Sequence, residues 1–121
     1  MRIDFVADTN FIIYLQEGKG FIKPFLDYNF GISFITEVEL LGYPNITELE
    51  IKKIENLIAD CFNIEWNTQI KEQTIRLKRA YKIKLPDAII AASSMVYGIP
   101  LVTADKGFNI LNDLELILIE D

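Results

Sequence analysis

The chain has 121 residues, of which 50% are hydrophobic and 25% charged, so we expect one globular domain over residues 1–121 rather than a disordered segment. Histidine is absent, which removes the commonest general base and leaves carboxylate oxygens as the natural ligands for a metal such as Mg²⁺ or Mn²⁺. A single cysteine, with neither a signal-peptide pattern nor a long apolar run, predicts a cytoplasmic protein with no membrane span.

Strand and helix patterns alternate through the first half of the chain. The predicted elements are a strand over residues 1–7, an apolar helix around residues 11–15, a short helix over residues 23–28 and a strand over residues 29–35. Gly18 is the expected end of the first helix. Thr36 and Glu39 match the capping-box pattern and predict a helix that begins at Thr36 and ends near Gly42.

The second half continues the alternation. Thr47 and Glu50 form a second capping-box pattern, and Pro86 occupies a position typical of a helix start. The remaining predicted elements are helices from Thr47 to Cys61, from Ile70 to Tyr81, over residues 88–97 and over residues 106–111, and strands over residues 62–66, 100–103 and 114–119. This order predicts an α/β fold in which helices cover both faces of a parallel sheet.

Four acids lie where predicted strands end or predicted helices begin: Asp8, Glu39, Asp87 and Asp105. Each has an ordinary structural interpretation, because acids cap helices, complete capping boxes and favour the first helical turn. Asp8 and Asp105 nevertheless follow strands of one parallel sheet, and the carboxyl ends of such strands share an edge where ligands bind. Several carboxylates on one edge repel one another, and a divalent cation relieves that repulsion.

The chemistry that this composition allows is metal-assisted hydrolysis of a phosphate ester, because a bound cation can activate water without histidine. Thr9, Asn10 and Thr103 lie beside the acids in sequence and are candidates to orient them. The net charge of −6 argues mildly against a nucleic-acid binder. Half of the twelve basic residues, however, lie between Lys71 and Lys84, where the alternative interpretation is an ordinary solvated helix face.

Four segments together resemble the PIN domain, and in particular the VapC-type ribonuclease toxins of toxin–antitoxin pairs. They are Asp8-Thr9-Asn10, Thr36 to Gly42, Leu85 to Ala92, and Leu101 to Asp105 with Phe108. The resemblance covers the whole chain and implies a three-layer fold with a central parallel sheet of about five strands. It also implies a Mg²⁺- or Mn²⁺-dependent endoribonuclease that forms a homodimer and is silenced by a protein antitoxin.

Carried over by position, the resemblance assigns metal binding and catalysis to Asp8, Glu39, Asp87 and Asp105. Glu39 rather than Glu37 matches, because Glu39 directly precedes Leu40-Leu41-Gly42. The exposed cations expected to guide the RNA strand are Arg76, Lys78, Arg79, Lys82 and Lys84. Many PIN domains carry a further acid where this chain has Gly107, which puts a second metal position in doubt.

Two other functions remain open on the sequence. One is a PIN-like fold that serves as a non-catalytic binding module. The other is a receiver-type phosphorylation switch, although Asp8 lacks the acidic neighbour that a receiver carries after its first strand.

The apolar helix around residues 11–15 suggests a surface for a partner. Its residues are hydrophobic on every side, so we expect a homodimer and an antitoxin segment in an apolar groove nearby, with an arginine of the antitoxin reaching the acids. The alternative is that the helix is simply central to the core.

Overall fold

A computed structural model describes residues 2–120 of the protein and contains a five-stranded sheet in which every neighbouring pair of strands is parallel. The strands are β1 (Phe5–Ala7), β2 (Phe30–Ser33), β3 (Phe62–Ile64), β4 (Leu101–Thr103) and β5 (Leu116–Leu118). Their order across the sheet is β3-β2-β1-β4-β5. The predicted parallel sheet is confirmed, with shorter strands than expected; Met1 and Asp121 lie outside the described residues.

Helices connect the strands. They are α1 (Thr9–Glu17), α2 (Phe34–Leu41), α3 (Glu48–Ala59), α4 (Thr68–Ala80) and α5 (Leu85–Tyr97), with 3₁₀ helices at Gly20–Phe25 and Lys106–Ile110. Two sequence signals act as predicted: Thr47 and Glu50 form both hydrogen bonds of a capping box, and Gly18 ends α1 in the left-handed conformation at φ 69°. Within residues 2–120, none of the helices is long and apolar enough to cross a membrane.

The sheet separates two apolar cores, which gives the fold its three layers. Val6 of β1 packs into the core shared with α4 and α5, whereas its neighbours Phe5 and Ala7 pack into the core shared with α1 and α3. Successive residues of a strand point to opposite faces, so this division shows that helices cover both sides of the sheet. The predicted α/β sandwich is therefore confirmed.

The predicted capping box at Thr36 and Glu39 is wrong. The helix begins earlier, at Phe34, and Ser33 is its N-cap, with the Ser33 hydroxyl accepting a hydrogen bond from the backbone N–H of Ile35. Thr36 is instead fully buried inside the first turn. The sequence allowed either Ser33 or Thr36 to start the helix, since both residue types cap helices well. This shift releases the side chains of Thr36 and Glu39 for other contacts.

Helix α1 is covered mainly by its own chain. Phe11 and Ile12 are completely buried, while Tyr14 and Leu15 are partly buried against the same core. Among residues 11–15, only Ile13 is exposed, at 36%. Most of this helix is therefore buried in the core of its own chain. On this helix, only the surface around Ile13 is left as an apolar site for a partner.

Candidate active site

The carboxyl ends of β1 and β4 bring acids to one edge of the sheet. Asp8 directly follows β1, and Asp105 lies two residues beyond the end of β4. Because Ala7 pairs with Val102 in the parallel register, Asp8 lies beside Thr103. Asp87 lies in the first turn of α5, and Glu39 lies on α2, which follows β2 without a loop.

Asp8 is the most deeply buried of the four acids, at 3% exposure. One of its carboxylate oxygens, Oδ1, accepts a hydrogen bond from the backbone N–H of Phe11 at 2.9 Å, which makes Asp8 the N-cap of α1. The other, Oδ2, accepts a hydrogen bond from the hydroxyl of Thr103. The capping and functional interpretations of Asp8 are therefore compatible, since each oxygen keeps a further lone pair.

Thr103 also holds Asp105. Its hydroxyl oxygen accepts a hydrogen bond from the backbone N–H of Asp105 at 2.9 Å, and its O–H group donates a hydrogen bond to Asp8. Asp105 Oδ1 accepts the backbone N–H of Gly107 at 2.8 Å and so caps the second 3₁₀ helix. A Cβ atom at Gly107 would lie 3.0 Å from that same oxygen, so the position is tight for any larger residue.

Glu39 is oriented by two threonines. Thr9 donates its hydroxyl proton to Glu39 Oε1 at 2.7 Å, and Thr9 Oγ1 also lies 3.2 Å from Thr36 Oγ1. A hydroxyl has one proton, so the proton in the second contact comes from Thr36. A chain of hydrogen bonds thus runs from the buried Thr36 through Thr9 to Glu39. Thr36 was not predicted as a site residue, because its sequence pattern indicated a helix cap.

The charges of the four acids affect one another. Burial raises the pKa of Asp8 to about 6 against the lowering effect of its hydrogen bonds, with further increases from the charges of Asp105 and Asp87. Burial also raises the pKa of Asp87, followed by repulsion from Asp105 and Glu39, while Lys84 lowers it. The charges of Asp105 and Asp87 thus reach Asp8, and the charge of Glu39 reaches Asp87. The charge of Glu39 is among those that raise the pKa of Asp87, and Thr9 donates a hydrogen bond to the Glu39 carboxylate.

Among residues 2–120, no group of three or more acids or cysteines has the arrangement of a complete metal site. The chemistry of the donors nevertheless fits a hard divalent cation, because all of the neighbouring ligands are carboxylate oxygens. Repulsion from Asp105 adds to burial in raising the pKa of both Asp8 and Asp87, and a divalent cation would relieve that repulsion. Asp8, Glu39, Asp87 and Asp105 could therefore hold such an ion.

Positive charge lies next to this edge. A shallow groove of about 240 Å³ is lined by Lys82, Lys84, Asp87, Asp105 and Gly107, together with apolar neighbours. Of the remaining predicted cations, Lys78 donates to the carbonyl of Ile83 at 2.7 Å, and Arg76 and Arg79 are exposed on α4. Of the five predicted cations, Lys82 and Lys84 are thus the two that line a groove together with Asp87 and Asp105. Asn10 is exposed and makes no side-chain hydrogen bond to these acids within the described residues.

Comparison with known proteins identifies the family. A family model described as the PIN domain matches residues 5–114. A search of curated proteins gives no match. The strand order also differs from the 2-1-3-4-5 order of receiver domains, which removes the phosphorylation-switch interpretation.

Solved structures share the fold over nearly their whole length. A chain of a toxin–antitoxin complex from Klebsiella pneumoniae is 27% identical, with a TM-score of 0.79 and coverage of 93% of this chain and 95% of that chain. A chain of VapBC-1 from nontypeable Haemophilus influenzae is 28% identical, with a TM-score of 0.78 and coverage of 94% and 96%. VapBC2 from Rickettsia felis, bound to a DNA fragment from its promoter, matches at 18% identity and a TM-score of 0.83, with coverage of 96% and 98%. The chain belongs to the PIN domain family.

Proposed function

We propose that this PIN domain is a Mg²⁺- or Mn²⁺-dependent endoribonuclease and the VapC-type toxin of a toxin–antitoxin pair. The observation that carries the proposal is the edge at which a buried Asp8, with a pKa raised to about 6, adjoins Asp87 and Asp105. Burying an acid among other acids is unfavourable unless a cation compensates it, and such perturbed groups are typical of functional sites.

Asp8, Glu39, Asp87 and Asp105 would together hold the divalent cation. When bound, a cation supplies an activated water and stabilises the charge that develops on a phosphodiester. The absence of histidine agrees with this chemistry, because no side chain with an ordinary pKa near neutrality is available as a general base.

The hydroxyl groups would orient the acids before substrate arrives. Thr103 and the Phe11 N–H each engage one oxygen of Asp8, which leaves the outward lone pairs of that carboxylate for a ligand. Thr9 does the same for Glu39. Preorganised ligands of this kind require no rearrangement during the reaction, and their support is typical of metal sites.

The lysines beside the acids would bind the RNA backbone. Lys82 and Lys84 line the groove that also contains Asp87 and Asp105, so a phosphate held by these cations would lie next to the carboxylates. Arg76, Lys78 and Arg79 would extend the positive path along α4. Such contacts attract any single strand, and so the choice of RNA as substrate rests on family membership.

The antitoxin would occupy a second groove. A mainly apolar groove of about 200 Å³ between α1, α2 and α3 is lined by Ile13, Leu40, Tyr43 and Ile54, and its lining also includes Thr9 and Glu39. An amphipathic segment in it would cover the exposed Ile13 and direct an arginine toward Glu39. The complexes from Klebsiella and Haemophilus, at 27% and 28% identity, support a protein partner of this kind. We also propose a homodimer, which sedimentation at tens of micromolar would detect.

The purified protein should cleave single-stranded RNA with Mg²⁺ or Mn²⁺ and stop when EDTA is added. Because water is the proposed nucleophile, the products should carry 5′-phosphates, which end-labelling after phosphatase treatment detects. Asp87→Asn should abolish cleavage, whereas Asp113→Asn should not, because Asp113 is an exposed acid outside the set of four. Products ending in a 2′,3′-cyclic phosphate, or cleavage that continues in EDTA, would refute the mechanism.

A further inference from the structure

An exposed tryptophan lies at the same edge of the sheet as the acids. Trp66 is the only tryptophan of the chain and is 44% exposed. Its ring meets that of Phe34 edge to face, with centroids 5.5 Å apart and an interplanar angle of 80°. Phe34 in turn packs against the core that contains Ala88 of α5. Trp66 is therefore supported from one side by a ring anchored in the core, while part of its surface faces solvent.

The strand register places this pair close to the acids. Ser33 pairs with Ile64 at the carboxyl ends of β2 and β3. Phe34 directly follows Ser33, and Trp66 lies two residues after Ile64. Asp8 follows the adjacent strand β1 at the same edge. Neighbouring strands are about 4.8 Å apart, so β3 lies roughly 10 Å from β1 across the sheet. A single strand whose phosphate lies at the acids can therefore reach Trp66 with a neighbouring base.

We propose that Trp66, held by Phe34, is a stacking platform for an unpaired base of the RNA substrate, on the side of the acids opposite to β4. This inference rests on the proposed function and adds a contact that selects single-stranded over paired RNA. Proteins that bind single strands combine a positive path for the backbone with aromatic rings for the bases. Lys82 and Lys84 provide the first feature, and Trp66 provides the second.

The surroundings of Trp66 favour a base over a protein segment. The residues on either side of it are polar, namely Glu65 and Asn67, and Asn63 is also exposed. A lone aromatic ring among polar groups offers too little apolar area to hold a protein helix, whereas one ring face is what a single base requires. The apolar groove at Ile13 lies on α1, which packs in the other core layer of the sheet.

The fluorescence of Trp66 tests the inference directly. Excitation at a wavelength that spares tyrosine reports only this residue. In EDTA, a short unstructured RNA should quench the fluorescence as it binds, while the anisotropy of a labelled end measures binding independently. An abasic oligomer with the same ribose-phosphate backbone should bind more weakly and leave the fluorescence unchanged. Trp66→Ala should weaken RNA binding by roughly 5- to 150-fold, and Trp66→Phe should recover part of that loss.

Tyr97→Ala is the matched control, because Tyr97 is an aromatic residue with 49% exposure at the end of α5, just before β4 begins. It should bind RNA like the parent. Binding without quenching, or unchanged affinity in Trp66→Ala, would overturn the stacking contact while the nuclease proposal stands. A slower-sedimenting Trp66→Ala protein with intact RNA affinity would assign the residue to contact with a second copy instead. Failure of the parent to bind RNA by anisotropy would overturn the stacking contact, and absence of RNA cleavage with Mg²⁺ or Mn²⁺ would refute the proposed function.

Discussion

Replacing Asp8 by asparagine should stabilise the metal-free protein at neutral pH, although Asp8 is almost completely buried. Burial raises the pKa of Asp8 from its ordinary 3.8 to about 6, so ionised Asp8 opposes folding at pH 7.5 by about 3 kcal/mol. Asparagine carries no charge, and its side-chain oxygen can still accept the N–H of Phe11 at the helix cap. The variant therefore removes the unfavourable charge and keeps the cap.

One hydrogen bond opposes this gain. The hydroxyl of Thr103 donates to Asp8 Oδ2 in the parent, and an amide nitrogen at that position can no longer accept it. A buried hydroxyl that loses its acceptor costs about 1 kcal/mol. The net expectation for Asp8→Asn at pH 7.5 is therefore a gain of about 2 kcal/mol, or roughly 8 °C in Tm for a domain of this size.

The sign of the effect should depend on pH. The pKa of Asp8 is higher in the folded protein than in the unfolded chain. At pH values between these two pKa values, the folded protein therefore holds a proton on Asp8 that the unfolded chain has lost. The contribution of Asp8 to stability is thus fully present below about pH 4 and is lost as the pH rises through about 6. At pH 4 the parent has no buried charge to remove, so Asp8→Asn should then be less stable by the lost hydrogen bond, about 1 kcal/mol.

Urea unfolding in EDTA at pH 4, 5, 6 and 7.5, followed by circular dichroism, measures this reversal. Asp27→Asn is the control, since Asp27 is exposed in the turn after the first 3₁₀ helix and should show no reversal. Millimolar Mg²⁺ should raise the Tm of the parent and leave that of Asp8→Asn nearly unchanged. If Asp8→Asn were as destabilising at pH 7.5 as at pH 4, burial of an unfavourable charge at this position would be refuted.

Two further substitutions test Glu39 on α2 and the hydrogen bonds from Thr36 and Thr9 that orient it. Glu39→Gln should reduce the rate of RNA cleavage by at least a hundredfold, while Glu37→Gln should remain within about threefold of the parent. The reverse ranking in a gel assay would assign the role of metal-binding acid on α2 to Glu37. Thr36→Val should lower the cleavage rate about five- to tenfold, because Thr9 then loses the hydrogen bond that directs its proton to Glu39. Thr36→Ser should restore the rate, and a serine variant as slow as the valine one would indicate a packing role only.

The order of strands and helices was predictable because it depends on local patterns. The capping box at Thr47 and the glycine at the end of α1 act through neighbours within a few residues, and both formed as predicted. The start of α2 was not predictable in this way. Ser33 and Thr36 are both good N-caps, and the choice depends on where β2 stops pairing with β1 and β3.

The acids of the candidate site could be named from the sequence, but their supporting contacts could not. The parallel-sheet rule brings Asp8 and Asp105 to one edge whatever the details of packing. The contact between Thr9 and Thr36, by contrast, joins two helices across 27 residues and depends on the rotation of each helix about its axis. The pairing of Phe34 with Trp66 has the same origin, and no local signal marks either residue for it.

The hydrogen bond between Asp8 and Thr103 also has a consequence for synthesis of the protein, because the two residues are 95 positions apart. A ribosome adds about 5–20 residues per second, so Asp8 emerges on the order of 5 to 20 s before its hydroxyl partner. During that interval β1 lacks its neighbour β4, and Asp105 has not been made. A nascent chain therefore cannot assemble the acidic edge until β4 and Asp105 have emerged, so α1 and α2 exist for that time without the complete set of acids.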